Sequence, residues 1–161
     1  MRFTIDEAAR ATGGSFSIDP VSDQMEITSL TWDSRSVEPG ALYVALPGER
    51  VDGHAFAASA VAAGAVCVLA QHALDQASAD QIAAAGAAVI QVPDTQAAVT
   101  ALARAWRDRL EGRVIGITGS TGKTTTKNLV RDVLVAAGSV CATKGNQNNE
   151  LGMPRTLMRI G

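Results

Sequence analysis

Gly116-Ile117-Thr118-Gly119-Ser120-Thr121-Gly122-Lys123-Thr124-Thr125-Thr126 is the stretch on which the reading of this chain turns. The apolar run Val114–Thr118 predicts a short strand, and the residues after Lys123 predict a helix to about Ala137, stopped by Gly138. The loop between them has glycine at 119 and 122. Glycine lets the backbone approach a bound group closely and turn its N–H groups toward it. A helix N-terminus adds unpaired N–H groups and a partial positive charge. The arrangement therefore predicts a phosphate cradle made of Gly119, Ser120, Thr121, Gly122, Lys123, Thr124 and Thr125. Lys123 is placed to reach the outer phosphates of ATP, and the Thr124 hydroxyl to hold Mg²⁺. The spacing is Gly-x-x-Gly-Lys-Thr, shorter than the general phosphate-loop pattern. The plainer alternative is a Gly-rich turn that opens an ordinary βα unit, with Lys123 solvated.

Downstream, a strand is expected at Val140–Thr143, followed by Gly145-Asn146-Gln147-Asn148-Asn149 and a further helix near the end of the sequence. Loops at the carboxyl ends of strands line the ligand crevice of an open α/β sheet. Asparagine amides can both donate and accept there. On residue chemistry alone, the cluster reads equally well as a turn with a helix start. Two strands are fewer than the roughly four to six of an open sheet. The unit is therefore expected to continue in a longer natural protein.

Upstream, Thr4-Ile5-Asp6-Glu7 is a capping box that opens a helix to about Thr12, ended at Gly13-Gly14. Strands are expected at Ser15–Ile18, Glu26–Thr31, Ala41–Leu46, Ala65–Ala70 and Val89–Val92. Helices are expected at His54–Ala63, Ser78–Ala85 and Thr95–Leu110, the last capped by Asp94. A boundary falls at Glu111-Gly112. The fold class is α/β: a small mixed α/β domain, 1–110, then the first part of a Rossmann-like phosphate-loop domain, 111–161.

Hydrophobic residues make up 47% of the chain and charged residues 19%, which supports a buried core and argues against disorder. A net charge of −2 gives no footprint for nucleic acid. No run is long enough to span a bilayer and the N-terminus lacks a signal-peptide core, so a cytoplasmic protein is expected. Cys67 and Cys141 sit in apolar stretches, far from any paired-cysteine pattern, and read as reduced core residues. His54 lies at a helix start with no carboxylate cluster nearby in sequence, and is not read as a base. His72 reads as a loop or surface residue.

The loop Thr118-Gly119-Ser120-Thr121-Gly122-Lys123-Thr124-Thr125 resembles the ATP loop of the Mur ligases and of the folylpolyglutamate synthases, in which this shorter spacing occurs. Gly145-Asn146-x-Asn148-Asn149-x-x-Gly152-x-Pro154-x-Thr156-Leu157 resembles the corresponding segment of MurF-type Mur ligases. Asp33-Ser34-Arg35, Pro39-Gly40-x-Leu42-Tyr43-Val44-Ala45 and Gly48-Glu49-Arg50-x-Asp52-Gly53-His54 resemble the uridine-diphosphate-binding domain of MurE- and MurF-type ligases. The resemblance covers about Thr28 to Leu157 and implies an ATP-dependent carbon–nitrogen ligase. It would join D-alanyl-D-alanine to UDP-N-acetylmuramoyl-tripeptide through an acyl phosphate in peptidoglycan synthesis. It further implies Lys123 as the catalytic residue, Mg²⁺ on Thr124, and the sugar nucleotide on Ser34, Arg35, Glu49, Arg50 and Val51. Asn146, Asn148 and Asn149 would lie near the substrate, and the protein would be a monomer. Without the family, Asp33–Arg35 is a local turn with an ion pair. A MurE-type ligase, a folylpolyglutamate synthase and a non-catalytic sugar-nucleotide-binding module are the alternatives. The Asp33–His54 segment disfavours the second of these.

Overall fold

The structure is a computed structural model describing residues 1–22, 24–48, 51–143 and 151–160. Its centre is a five-stranded sheet. Four parallel strands, β4 (Ser29–Thr31), β5 (Ala41–Val44), β6 (Ala65–Ala70) and β7 (Ala88–Gln91), lie side by side, and β2 (Ser15–Ile18) closes one edge antiparallel to β7. A two-stranded antiparallel ribbon pairs β1 (Phe3–Thr4) with β3 (Glu26–Ile27).

The sheet is covered on both faces, so its strands are apolar on both sides, as parallel sheets require. Cys67 and Leu69 of β6 pack with Leu42, Val44 and Ile90 against α1 (Ile5–Thr12) and α4 (Thr95–Arg107). Val68 and Ala70 face the other way, with Tyr43 and Val89, toward α2 (Ala57–Ala62) and α3 (Gln76–Ala84). The side-chain period of two assigns alternate residues of one strand to different layers.

Local chemistry sets the element ends. Thr4 Oγ1 accepts from Glu7 N at 3.1 Å, and Glu7 Oε2 accepts from Thr4 N at 2.9 Å, completing the expected capping box. The box and the Arg109 guanidinium together hold the Glu7 carboxyl below its usual range. Asp94 Oδ1 accepts from Gln96 N at 2.8 Å and Ala97 N at 3.0 Å, which starts α4. Asp94→Ala is expected to cost about 1 kcal/mol. The melting temperature should fall by about 2–4 °C in thermal unfolding.

Four expectations change. The single strand at 26–31 is two, because the chain passes between sheets at Thr28, whose N–H donates to Gly40 O at 2.9 Å. The helix expected from His54 opens as a 3₁₀ turn, Gly53–Phe56, before α2. Val114–Thr118 and Val140–Thr143 form no strand, since among the described residues nothing pairs with them. Val114 and Ile115 are 51% and 57% exposed. Cys141 lies in the second of these stretches and is exposed, contrary to its reading as a core residue; Cys67 is buried, and burial pushes its thiol up to about 12.

The last helix, α6 (Gly152–Met158), folds back against α4 and β4. Met158 joins the core beside α4, the Met1 ammonium donates to Met158 O at 3.1 Å, and Trp106 Nε1 donates to Ile160 O at 2.8 Å. Among the described residues, no helix is long and apolar enough to cross a membrane.

Candidate nucleotide-binding sites

Two places carry the chemistry. The first is the glycine-rich loop. Gly119 (φ +152°) and Gly122 (φ +76°) both adopt backbone conformations that a side chain would strain. Gly122 caps the next helix, α5 (Lys123–Leu134), whose first intrahelical bond runs from Thr126 N to Gly122 O at 2.9 Å. Helix geometry therefore leaves the amides of Lys123, Thr124 and Thr125 without an i−4 partner in the helix. Thr124 and Thr125 are exposed. The Lys123 ammonium folds back to donate to Gly119 O and, at 3.5 Å, to Ser120 O. One cation and the open first-turn amides thus lie on a loop whose two glycines carry no side chain to obstruct it, an arrangement chemically suited to an anion.

Lys127, one turn further along α5, donates to Thr143 O at 2.6 Å and ties the 140–143 stretch to the helix. Its spacing of four from Lys123 was visible in the sequence, but its partner was not.

The second place is a cleft of about 700 Å³ at the carboxyl ends of β4 and β5. Ser34, Arg35 and Val51, which the family resemblance assigns to the sugar nucleotide, line it. Glu49 and Arg50, like Asn146, Asn148 and Asn149, lie outside the described residues. Trp32, Tyr43, Leu46, Pro47, Gly53 and Phe56 also line the cleft and were not singled out beforehand. Asp33 caps the 3₁₀ turn Ser34–Ser36 and grips Arg35 with two bonds of 2.8 Å, to Nε and NH2. The Arg35 side chain and backbone amide hold the Asp33 carboxyl down to about 2. The local turn and ion pair read from residue chemistry are thus present, and they sit in the cleft wall.

On the floor, the Tyr43 hydroxyl donates to Gly53 O at 3.0 Å. The Arg155 guanidinium of α6 lies 5.0 Å from the Trp32 ring centre, so the segment after the phosphate loop closes on the cleft's aromatic wall. Trp32 and Phe56 could offer faces to a heterocycle, and Arg35 the N–H groups that Asp33 leaves free.

These features define an α/β protein that pairs a glycine-rich loop at a helix start with a separate cleft lined by aromatic and polar side chains. The chain belongs to the Mur ligase family: residues 26–107 match the Mur ligase family, catalytic domain, and residues 117–160 the Mur ligase middle domain. It is similar to the UDP-N-acetylmuramoyl-tripeptide--D-alanyl-D-alanine ligases of Synechocystis and Bacillus subtilis. The first is 39% identical over 89% of this chain and 30% of that protein, the second 37% over 98% and 33%. Among solved structures it resembles MurF from Acinetobacter baumannii, with a TM-score of 0.85 and 33% identity over 100% of this chain and 34% of that one. It also resembles MurF ligase from Thermotoga maritima in complex with ADP, with a TM-score of 0.69 and 32% identity over 82% and 29%. The chain spans about a third of the length of these relatives.

Proposed function

We propose that this chain supplies the sugar-nucleotide cleft and the ATP loop of an amide ligase that adds D-alanyl-D-alanine to UDP-N-acetylmuramoyl-tripeptide. The observation that carries the reading is the loop at 119–125, where the Lys123 ammonium lies on the Gly119 carbonyl at the open first turn of α5. The relatives' names support the acceptor and the donor, and the ADP complex of the Thermotoga protein supports a nucleotide.

Under this reading the tripeptide's terminal carboxylate attacks the γ-phosphorus of ATP, ADP leaves, and an acyl phosphate forms. The amine of D-alanyl-D-alanine then displaces phosphate. A carboxylate is a poor acyl donor because oxide would have to leave; phosphorylation provides a leaving group. The protein's part is positioning and charge neutralisation. Lys123 neutralises charge on the outer phosphates, and the amides of the loop and of Lys123, Thr124 and Thr125 orient them. Thr124 fits Mg²⁺, since its hydroxyl is a hard oxygen donor on an exposed first turn beside the phosphate cradle. The ion would supply charge neutralisation and orientation of the phosphates.

We assign residues 1–110 to the sugar nucleotide, with Trp32, Ser34, Arg35, Val51 and Phe56 at the ligand, and 111–161 to the start of the ATP-binding part. The roles of Glu49, Arg50, Asn146, Asn148 and Asn149 rest on the family resemblance. In the full-length protein, phosphate release from ATP should require both UDP-N-acetylmuramoyl-tripeptide and D-alanyl-D-alanine. Release with a single amino acid in place of the dipeptide would move the assignment to a MurE-type ligase. Binding of the sugar nucleotide without any release would reduce the protein to a non-catalytic module.

A further inference from the structure

The cleft wall is formed by Leu46, Pro47, Gly48, Val51 and Gly53; Asp52 lies between the last two in sequence but, like His54 and His72, does not line the cleft. Asp52 Oδ1 accepts from His54 N at 3.0 Å and lies 2.6 Å from His54 Nδ1. His54 Nε2 accepts from Gln71 N at 2.9 Å and from His72 N at 3.4 Å. An acceptor nitrogen carries no proton, so the proton of His54 sits on Nδ1 and is donated to Asp52. Gln71 Oε1 in turn accepts from Thr95 N and Oγ1, at 3.4 and 3.5 Å, in the first turn of α4. A hydrogen-bonded chain therefore runs from the cleft wall, past the end of β6, to α4. His54 is 4% exposed and lies wholly within this chain. His54 has no carboxylate cluster beside it in sequence; a single carboxylate, Asp52, two residues back, is its partner.

His72 completes the group. Its ring stacks on His54, with centroids 3.6 Å apart and planes inclined by 19°. Its Nδ1 faces Ala73 O at 3.1 Å and its Nε2 faces Asp52 Oδ2 at 2.9 Å. Both nitrogens meet acceptors, so only the doubly protonated ring satisfies both. Among the described residues, Asp52 is the charged side chain bonded to it and His54 the titratable ring packed on it. Asp52, His54 and His72 are close enough to suggest a metal site. The ring planes argue otherwise: imidazole lone pairs lie in the ring, and nearly parallel stacked rings direct them side by side rather than toward one point. The proton on His54 Nδ1 blocks that nitrogen as well.

We propose that Asp52, His54 and His72 are positioning residues that hold this cleft wall in its ligand-binding shape, with His72 acting as the imidazolium. The proposal rests on the sugar-nucleotide reading of the cleft. The Ala73 carbonyl, and then the Asp52 carboxylate, raise His72 above its usual range. The His72–Asp52 bond is therefore fully formed below the ordinary histidine value of about 6.5 and is lost as pH rises through the higher folded-state value. Affinity for the sugar nucleotide should weaken over the same interval.

The test is calorimetric titration of the full-length protein with UDP-N-acetylmuramoyl-tripeptide, without ATP, from about pH 6 to 8.5. Wild type is expected to lose affinity about three- to tenfold across that range. His72→Phe keeps the stacked ring and, being at an exposed position, the fold. It should bind as weakly at low pH as wild type does at high pH, with no pH dependence. His72→Lys restores a cation that stays charged throughout and should bind tightly at every pH. If wild type binds but His72→Phe matches its affinity and its pH profile, the positioning proposal is overturned and the cleft reading stands. If wild type binds at no pH, the cleft reading is overturned and the proposal falls with it.

Discussion

Lys123→Ala in the full-length protein is expected to lower ATP-dependent phosphate release by about 10²- to 10³-fold, the loss seen when one preorganised charge-stabilising group is removed from a reaction site. The expectation comes from where the ammonium lies. It does not project into solvent from the start of α5 but folds back onto the Gly119 and Ser120 carbonyls, inside the turn that the two glycines open. Alanine keeps the helix start, so its open first-turn amides remain and nucleotide affinity should fall less than turnover. Arginine is not expected to rescue, because its planar fork does not reproduce the single compact ammonium that the Gly119 and Ser120 carbonyls accept from. Lys123 does not line the cleft, so titration with the sugar nucleotide should return the wild-type dissociation constant. Steady-state phosphate release and that titration, run together, check the claim. A variant with wild-type turnover would remove the mechanism from the proposed function.

The sequence was most informative where structure is made by near neighbours. The Thr4–Glu7 box and the Asp94 cap each depend on residues within three positions, and both appear as read. The strand at Ala65–Ala70 was legible because a short β-branched apolar run ending at a polar residue has few other solutions. Val114–Thr118 and Val140–Thr143 have the same composition and form no strand, because a strand exists only with a partner and partnership is non-local. The cleft divides in the same way. Ser34, Arg35 and Val51 stand in recognisable segments. Trp32 and Phe56 stand outside those segments, in separate parts of the chain, and only the fold brings them to one cleft. His54 and His72 are 18 positions apart and meet only because β6 carries the chain back past the loop. No periodicity or motif could have joined them.

Gly53→Ala should weaken binding of UDP-N-acetylmuramoyl-tripeptide by at least about tenfold and cost about 1–3 kcal/mol of stability. A Cβ at position 53 would lie 2.8 Å from both the N and the O of Leu46 and 3.2 Å from the carbonyl carbon of Ala45. These are backbone atoms, so no side-chain rotation relieves the contact. The bond from Gly53 N to Leu46 O, 2.9 Å, must lengthen, and with it the bond from the Tyr43 hydroxyl to Gly53 O. Leu46, Tyr43 and Gly53 all line the cleft, so the added methyl group moves its wall directly. Gly112→Ala is the matched control: nothing lies within 4 Å of its Cβ, and it stands outside the cleft. Thermal unfolding and sugar-nucleotide titration of the two variants separate a local distortion from a general effect of replacing glycine. Unchanged affinity in Gly53→Ala would mean that the wall between Leu46 and Gly53 does not touch the ligand, and would move the sugar-nucleotide site elsewhere.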